Sequence, residues 1–340
     1  MEEPTTPQIS CVSLGMVILD EIRMANQPPL LNVIGGSSTF VTLGLRLFAT
    51  KSLNPGCLVL AGNDLPSSIL EEIQRWHMDH LVVLTSPSQP SSRGLLIYSD
   101  STFGPKTFEY TTPPLRATPD HLSGTSLLTA RAFHFFGTPA EILTQVPRLL
   151  HLRQQAHVHL PPPLIVWEPL PAACTPANLA SFQEACKLVD VFSPNHLELS
   201  ALFATNGEPQ HRNEPLLPTL ERWATSLLAT GVGPRSTGTV VVRAGADGAL
   251  ALQRGKPSVR VPAYYAHGAE AVVDPTGAGN AFLGGYVVGF LREEGSVKDA
   301  LCYGAVAASF ALEQIGLPGS GVVDAGGWGR LEEFRARVEG

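Results

Sequence analysis

Short, nearly continuous apolar runs alternate along the chain with stretches of helical periodicity. The runs at residues 9–14, 57–61, 81–84, 132–136, 164–167, 189–192 and 239–243 read as strands. Between them, 38–47, 67–76, 140–152, 195–203 and 215–228 carry apolar residues at helical spacing, and Pro66 and Pro139 stand where helices begin. Strands that are apolar throughout, separated by helices, predict a mostly parallel sheet covered on both faces. The last third is helical, with 277–292 and 296–315 separated only by Glu293, Glu294 and Gly295. Both segments are rich in Gly and Ala, which permits close helix packing.

Two segments break this rhythm. One is 16–34, between the first strand and the first helix. The other is 93–112, which reads as two strands around a Ser/Asp/Gly turn and is too long for an ordinary connection. Together they form a small β lid over the edge of the sheet, or else the second is a plain surface hairpin. Two proline-rich stretches, 160–164 and 214–219, read as surface turns.

Composition narrows the class. The 340 residues are 44% hydrophobic and 16% charged, which excludes a disordered chain. At roughly 150 residues per domain the length allows one large domain or two small ones. A net charge of −7 argues against nucleic acid as a partner but leaves small phosphorylated ligands open. The richest apolar run, 281–291, is too short to span a membrane, and the acidic opening MEEPTTPQIS lacks the order of a signal peptide. Five scattered cysteines with no CxxC pair read as reduced core residues of a cytoplasmic protein.

The most informative stretch is VVDPTGAGNAFLGG, Val272 to Gly285. Pro275 discourages helix at Asp274. Gly277, Ala278 and Gly279 then open a helix, whose first amides lack partners and carry partial positive charge. An anion can approach such backbone closely, although glycines at a helix start also serve packing. Asn195 and Glu198 form N-x-x-E at another helix start. A carboxylate there can hold water on Mg²⁺, or simply complete a capping box. Arg243 to Gly248 reads as a strand entering a Gly turn that lines a nucleotide or closes a hairpin. Gly35 and Gly36 open the first helix, and Asp20 lies just beyond the first strand. His77 and His80 have i, i+3 spacing but no third ligand, and His157 and His159 have no catalytic partner. Trp76 reads as core, and Trp167 as core or pocket.

In this order the motifs DPTGAGN (Asp274 to Asn280), SPNHLE (Ser193 to Glu198), RAGADG (Arg243 to Gly248), GGSSTF (Gly35 to Phe40), GND (Gly62 to Asp64) and WEP (Trp167 to Pro169) resemble the PfkB (ribokinase-like) carbohydrate kinases over nearly the whole chain. WEP and the Asn-ended motif are most similar to the maintenance-of-killer-like branch. The resemblance implies a three-layer α/β fold with a β lid, one domain over residues 1–340, and ATP with Mg²⁺ for phosphoryl transfer to a hydroxyl of a small alcohol or sugar-like molecule. It implies an anion hole at Gly277, Ala278 and Gly279, and Mg²⁺ held through water by Glu198 with Asn195. Arg243, Gly245 and Gly248 would border the nucleotide. Asp20, with Gly35 and Gly36, would hold the substrate, and Asp274 would face a monovalent cation such as K⁺. Lid edges in this family pair between subunits, which implies a homodimer.

Asn280 departs from the family, whose motif ends in the Asp that takes the hydroxyl proton. An amide can accept a hydrogen bond there but not the proton. Ile18 and Phe40 stand where sugar kinases often place asparagines, and Gly137 replaces a polar contact. Three readings follow: a slow kinase, a pseudokinase that binds nucleotide or metabolite without turnover, and a structural protein that binds neither.

Overall fold

The computed structural model describes residues 8–99, 106–156, 161–204 and 216–339. Strands β1 (Gln8–Ile9) and β2 (Cys11–Ser13) lead into β3 (Ile18–Arg23), β4 (Leu30–Gly35) and helix α1 (Ser37–Arg46). Next come β5 (Leu53–Asn54), β6 (Gly56–Ala61), α2 (Ser67–Gln74), β7 (His80–Thr85), β8 (Arg93–Tyr98) and β9 (Lys106–Tyr110). The middle of the chain holds β10 (Ala132–Gly137), α3 (Pro139–Gln155), β11 (Leu164–Pro169), α4 (Leu179–Cys186), β12 (Val191–Phe192), α5 (His196–Leu202), α6 (Leu216–Thr230) and β13 (Thr239–Arg243). The remainder is β14 (Ala249–Gln253), β15 (Val259–Val261), α7 (Ala278–Arg292), α8 (Val297–Leu312), α9 (Ser320–Asp324) and α10 (Trp328–Glu339).

The main sheet has seven strands in the order β15-β14-β13-β12-β11-β10-β2. It is parallel from β2 to β13, and β14 and β15 run antiparallel at one edge. Strand alternation assigns its side chains to two cores. Phe133, Phe135, Ile165, Trp167, Val240 and Val242 face the core that includes α3 to α6, and Trp167 stacks on Phe182 of α4. Ala132, Val166, Val191 and Val241 face the core built by α1, α7 and α8. Gly285 and Gly289 of α7 leave room for Tyr303 of α8, the close approach expected of those segments. Trp76 and Trp167 are both buried.

The lid is a four-stranded sheet, β4-β3-β8-β9, from the two segments that broke the sequence rhythm. The turn joining its last two strands, residues 100–105, lies outside the described residues, as do His157 and His159. Several expectations are corrected. The strand expected at 9–14 divides at Ser10: β1 pairs with β5 and β2 with β10. Helix α2 ends at Gln74, so His77 and His80 share no helical face. His77 takes φ 50° beyond the helix, and His80 opens β7. The turn after Arg243 closes an antiparallel hairpin between β13 and β14, which is one of its two expected readings. All five cysteines are free and buried. No helix among the described residues is long and apolar enough to cross a membrane.

Candidate active site

The same strand alternation that builds the α7-side core places a polar row two residues further along the chain. Two residues beyond Cys11, Ala132, Val166, Val191 and Val241 stand Ser13, His134, Glu168, Ser193 and Arg243. All five are buried. Arg243 Nη1 lies 2.7 Å from Glu168 Oε1, and Arg243 Nη2 donates to the Ser193 carbonyl at 3.0 Å. His134 Nε2 is 3.2 Å from Glu168 Oε2, and His134 Nδ1 is 2.9 Å from Ser13 Oγ. The Gly15 amide donates to Ser13 Oγ at 3.0 Å, so an imidazole that accepts a hydrogen bond from the Ser13 hydroxyl at Nδ1 and donates from Nε2 to Glu168 satisfies the whole chain.

Helix α7 starts above this row. Gly277 takes φ 78°, a left-handed conformation, and a Cβ there would lie 2.3 Å from the Phe40 ring. A Cβ on Gly279 would lie 2.2 Å from Arg243 Nη1, so the helix start rests directly on the guanidinium. Helix geometry leaves the first amides without intrahelical partners, and no side chain caps this end. Bare backbone and outward amides thus lie over a buried cation, features that suit an anion.

Asn280, one residue on, does not stand alone. Its Nδ2 donates to Glu168 Oε2 at 2.6 Å. Burial would raise the Glu168 carboxyl, but Arg243, His134 and Asn280 outweigh it and hold it below the usual carboxylate range.

Asn195 and Glu198 form the reciprocal capping box of α5. Asn195 Oδ1 accepts from the Glu198 amide at 2.9 Å, and Glu198 Oε2 accepts from the Asn195 amide at 2.7 Å. Glu198 lies 3.5 Å from Arg243 Nη2. Burial first, then Glu168 nearby, push its carboxyl up to about 7 against the pull of Arg243. A divalent cation beside it would relieve that unfavourable charge, so Glu198 suits the expected Mg²⁺ position. Arg243, expected at the nucleotide border, turns its guanidinium to two carboxylates. Gly248 takes φ 84° because a Cβ would lie 2.1 Å from the Val261 carbonyl, which is a demand of the hairpin. Gly245, at φ 61°, has only His196 within reach of a Cβ.

The lid supplies the second half of the site. Asp20 of β3 is buried between Gly35 and Gly94, where a Cβ would lie 2.0 Å and 2.3 Å from its oxygens. Its Oδ1 has no hydrogen-bond partner among the described residues. Burial pushes its carboxyl up to about 7, with Lys106 opposing. Gly36, at φ 95°, caps α1, and its Cβ would meet the Met16 carbonyl. Asp274 accepts from the Tyr98 hydroxyl at 3.0 Å through both oxygens, and Lys106 Nζ stands 3.6 Å from Oδ1. Lys106 also bonds Thr276 Oγ1. Asp274 was expected at a monovalent cation; an ammonium from the lid already compensates its charge. Phe40, on the first turn of α1, closes the distance between the lid base and the start of α7.

The structure thus brings Gly277, Gly279, Asn280, Arg243, Glu198 and Asn195 together and sets Asp20 with Asp274 at the lid. The residues unforeseen from sequence are Ser13, His134, Tyr98 and Lys106, and the role of Glu168. For the first two and Glu168, the signal was the polar residue two positions after a small apolar one.

The pfkB family carbohydrate kinase domain matches residues 148–320. An uncharacterized protein of Schizosaccharomyces pombe is 30% identical over 331 residues, 91% of this chain and 86% of that one. The chain belongs to the PfkB family of carbohydrate kinases. Protein MAK32 of Saccharomyces cerevisiae is 26% identical over 332 residues, 93% of this chain and 88% of that protein. Among solved structures, a protein described as a ribokinase II of Escherichia coli, in complex with ATP and Mg²⁺, aligns at a TM-score of 0.66. It covers 98% of this chain and 100% of its own at 17% identity, a likeness of fold.

Proposed function

We propose that this PfkB-family chain, acting as one domain, binds ATP with Mg²⁺ and catalyses slow phosphoryl transfer to a hydroxyl of a small alcohol or sugar-like molecule. One observation carries the reading: the start of α1 ties the bare α7 helix start, set on a buried guanidinium, to the unpartnered lid carboxylate of Asp20. When bound, ATP supplies the transferable γ-phosphoryl group and Mg²⁺ offsets its charge. The Gly277–Gly279 backbone would hold that group by its free amides. Arg243 beneath them lends positive charge without leaving its ion pairs. Glu198 and Asn195 would orient metal-bound water. Asp20 would accept from an acceptor hydroxyl, which gives its bare Oδ1 a partner and draws its pKa back down. Asn280 Oδ1 would accept from the attacking hydroxyl but cannot keep its proton, and loss of a general base typically slows a reaction about 10² to 10⁴-fold.

A cytoplasmic setting is supported by five buried, unpaired thiols. The lid leaves β4 and β9 as edges, the strands through which a lid-to-lid dimer would form.

The reading is tested by incubating the protein with ATP·Mg²⁺ and a panel of polyols, sugars and nucleosides, and following ADP formation that depends on the acceptor. Acceptor-dependent ADP, weakened in Glu198→Ala, supports transfer. Background hydrolysis throughout rejects it. The second reading, a pseudokinase responsive to nucleotide or metabolite, is favoured by the Asn280–Glu168 hydrogen bond, which ties the residue at the base position to the core. It predicts saturable ATP binding with no acceptor-dependent turnover.

A further inference from the structure

Asn280 and Glu168 are joined by a side-chain hydrogen bond that crosses from the base position into the polar row. The carboxylate can only accept, so the amide must present its N–H₂ to Glu168 and its Oδ1 away from it. Glu168 already has three partners, Arg243 at Oε1 and His134 and Asn280 at Oε2. Buried, and held below the usual carboxylate range by these three neighbours, it is a poor base. A carboxylate at position 280 would stand within hydrogen-bond distance of Glu168, two like charges sharing one buried site.

We propose that Asn280 and Glu168 are an exchanged pair, in which Glu168 is a positioning residue that fixes the amide with Oδ1 toward the cleft, and that an acid on α7 is compatible with this chain only when the acid on β11 is neutralised. Asn280→Asp alone therefore does not return the family's base. It creates a carboxyl pair that resists its second ionisation, so its penalty grows as pH rises. In Asn280→Asp/Glu168→Gln the donor and acceptor change places. The amide now on β11 donates through its nitrogen to the carboxylate now on α7, and its oxygen still accepts from Arg243. His134 takes the other tautomer, donating from Nδ1 to Ser13 Oγ and accepting at Nε2. Net charge is kept. The groups facing the pair are His134 on β10, Arg243 on β13 and, beyond Arg243, Glu198 on α5. Asp20, Asp274 and Lys106 form the separate lid cluster.

The test is a four-protein cycle, wild type, Asn280→Asp, Glu168→Gln and the double variant, melted at pH 6 and pH 8. Asn280→Asp is expected to lose roughly 5 °C or more at pH 8 and clearly less at pH 6. The double variant should regain most of the pH 8 loss and show no extra pH slope. Failure of Asn280→Asp to fold at pH 8, with a folded double variant, gives the same answer. Additive losses, or an Asn280→Asp protein that melts with wild type at both pH values, overturn the proposal. So does a double variant that fails to fold. A second arm, which rests on the kinase reading, compares acceptor-dependent ADP formation. The double variant should exceed wild type by roughly 10²-fold, whereas Asn280→Asp alone should not. Silence of all four proteins in that arm rejects the kinase reading while the melting cycle still decides the pairing.

Discussion

The two ends of the site are built on opposite principles. At the α7 end the carboxylates have donors or counter-charge: Glu168 has Arg243, His134 and Asn280, and Glu198 has the α5 cap with Arg243 3.5 Å away. At the lid end Asp20 is buried with a bare oxygen between two glycines. The first region is preorganised, because rigid parallel strands fix its side chains before any ligand arrives. The second is incomplete in the free protein, and a hydroxyl-bearing ligand would supply the missing donors. Preorganisation shows itself as cooperativity among mutations, and a buried carboxyl short of donors as pH dependence.

The largest effect is expected from Arg243→Met. Removing the guanidinium leaves Glu168 and Glu198 buried without their counter-charge, a loss of about 3–5 kcal/mol that urea unfolding would register. A loss below about 1 kcal/mol would mean that the row is not electrostatically coupled. Next is Gly279→Ala, whose methyl group must displace Arg243 Nη1; we expect roughly 1–3 kcal/mol of destabilisation.

Asp20→Asn separates the two regions by sign. A carboxyl raised to about 7 contributes stability that is full below its unfolded pKa near 4 and is lost as pH rises through 7. Wild type should therefore weaken between about pH 4 and pH 7, by a few kcal/mol at most. The Asn variant should melt with wild type at pH 4 and above it at pH 8. Part of the slope remains, since Glu198 is raised in the same direction. Melting curves that stay parallel across that range would deny Asp20 its buried, unpaired state. The smallest effect is Lys106→Met. Lys106 is a quarter exposed, and Asp274 keeps Tyr98 and Thr276. Stability should change by no more than about 1 kcal/mol, while the Asp20 titration moves further up for lack of the opposing charge.

Most of the α7 region was legible from sequence, for a local reason. A glycine helix start, a capping box and apolar strands are written in contiguous residues, so Gly277, Gly279, Asn195 and Glu198 could be found directly. The row beneath was written too, as a polar residue two positions after an apolar one on five strands, but its meaning depends on which strands are neighbours. That order, β13-β12-β11-β10-β2, brings residues 13 and 243 into one network and is not encoded locally. The lid strands were visible as interruptions of the rhythm. Lys106 and Tyr98 were not, because their partner Asp274 lies at least 168 residues away along the chain. The motif marked Arg243, but its ion pairs with Glu168 and Glu198 depend on strand order and were not legible.

The central claim, that the start of α7 is a phosphate site built on Arg243, is tested most directly by calorimetric titration of ATP·Mg²⁺ into wild type and Gly279→Ala at pH 7.5. The account predicts saturable binding to wild type and binding at least roughly 10-fold weaker in the variant, in which both the bare backbone and the guanidinium are disturbed. Equal affinities, or no binding by wild type at millimolar ATP, would contradict it.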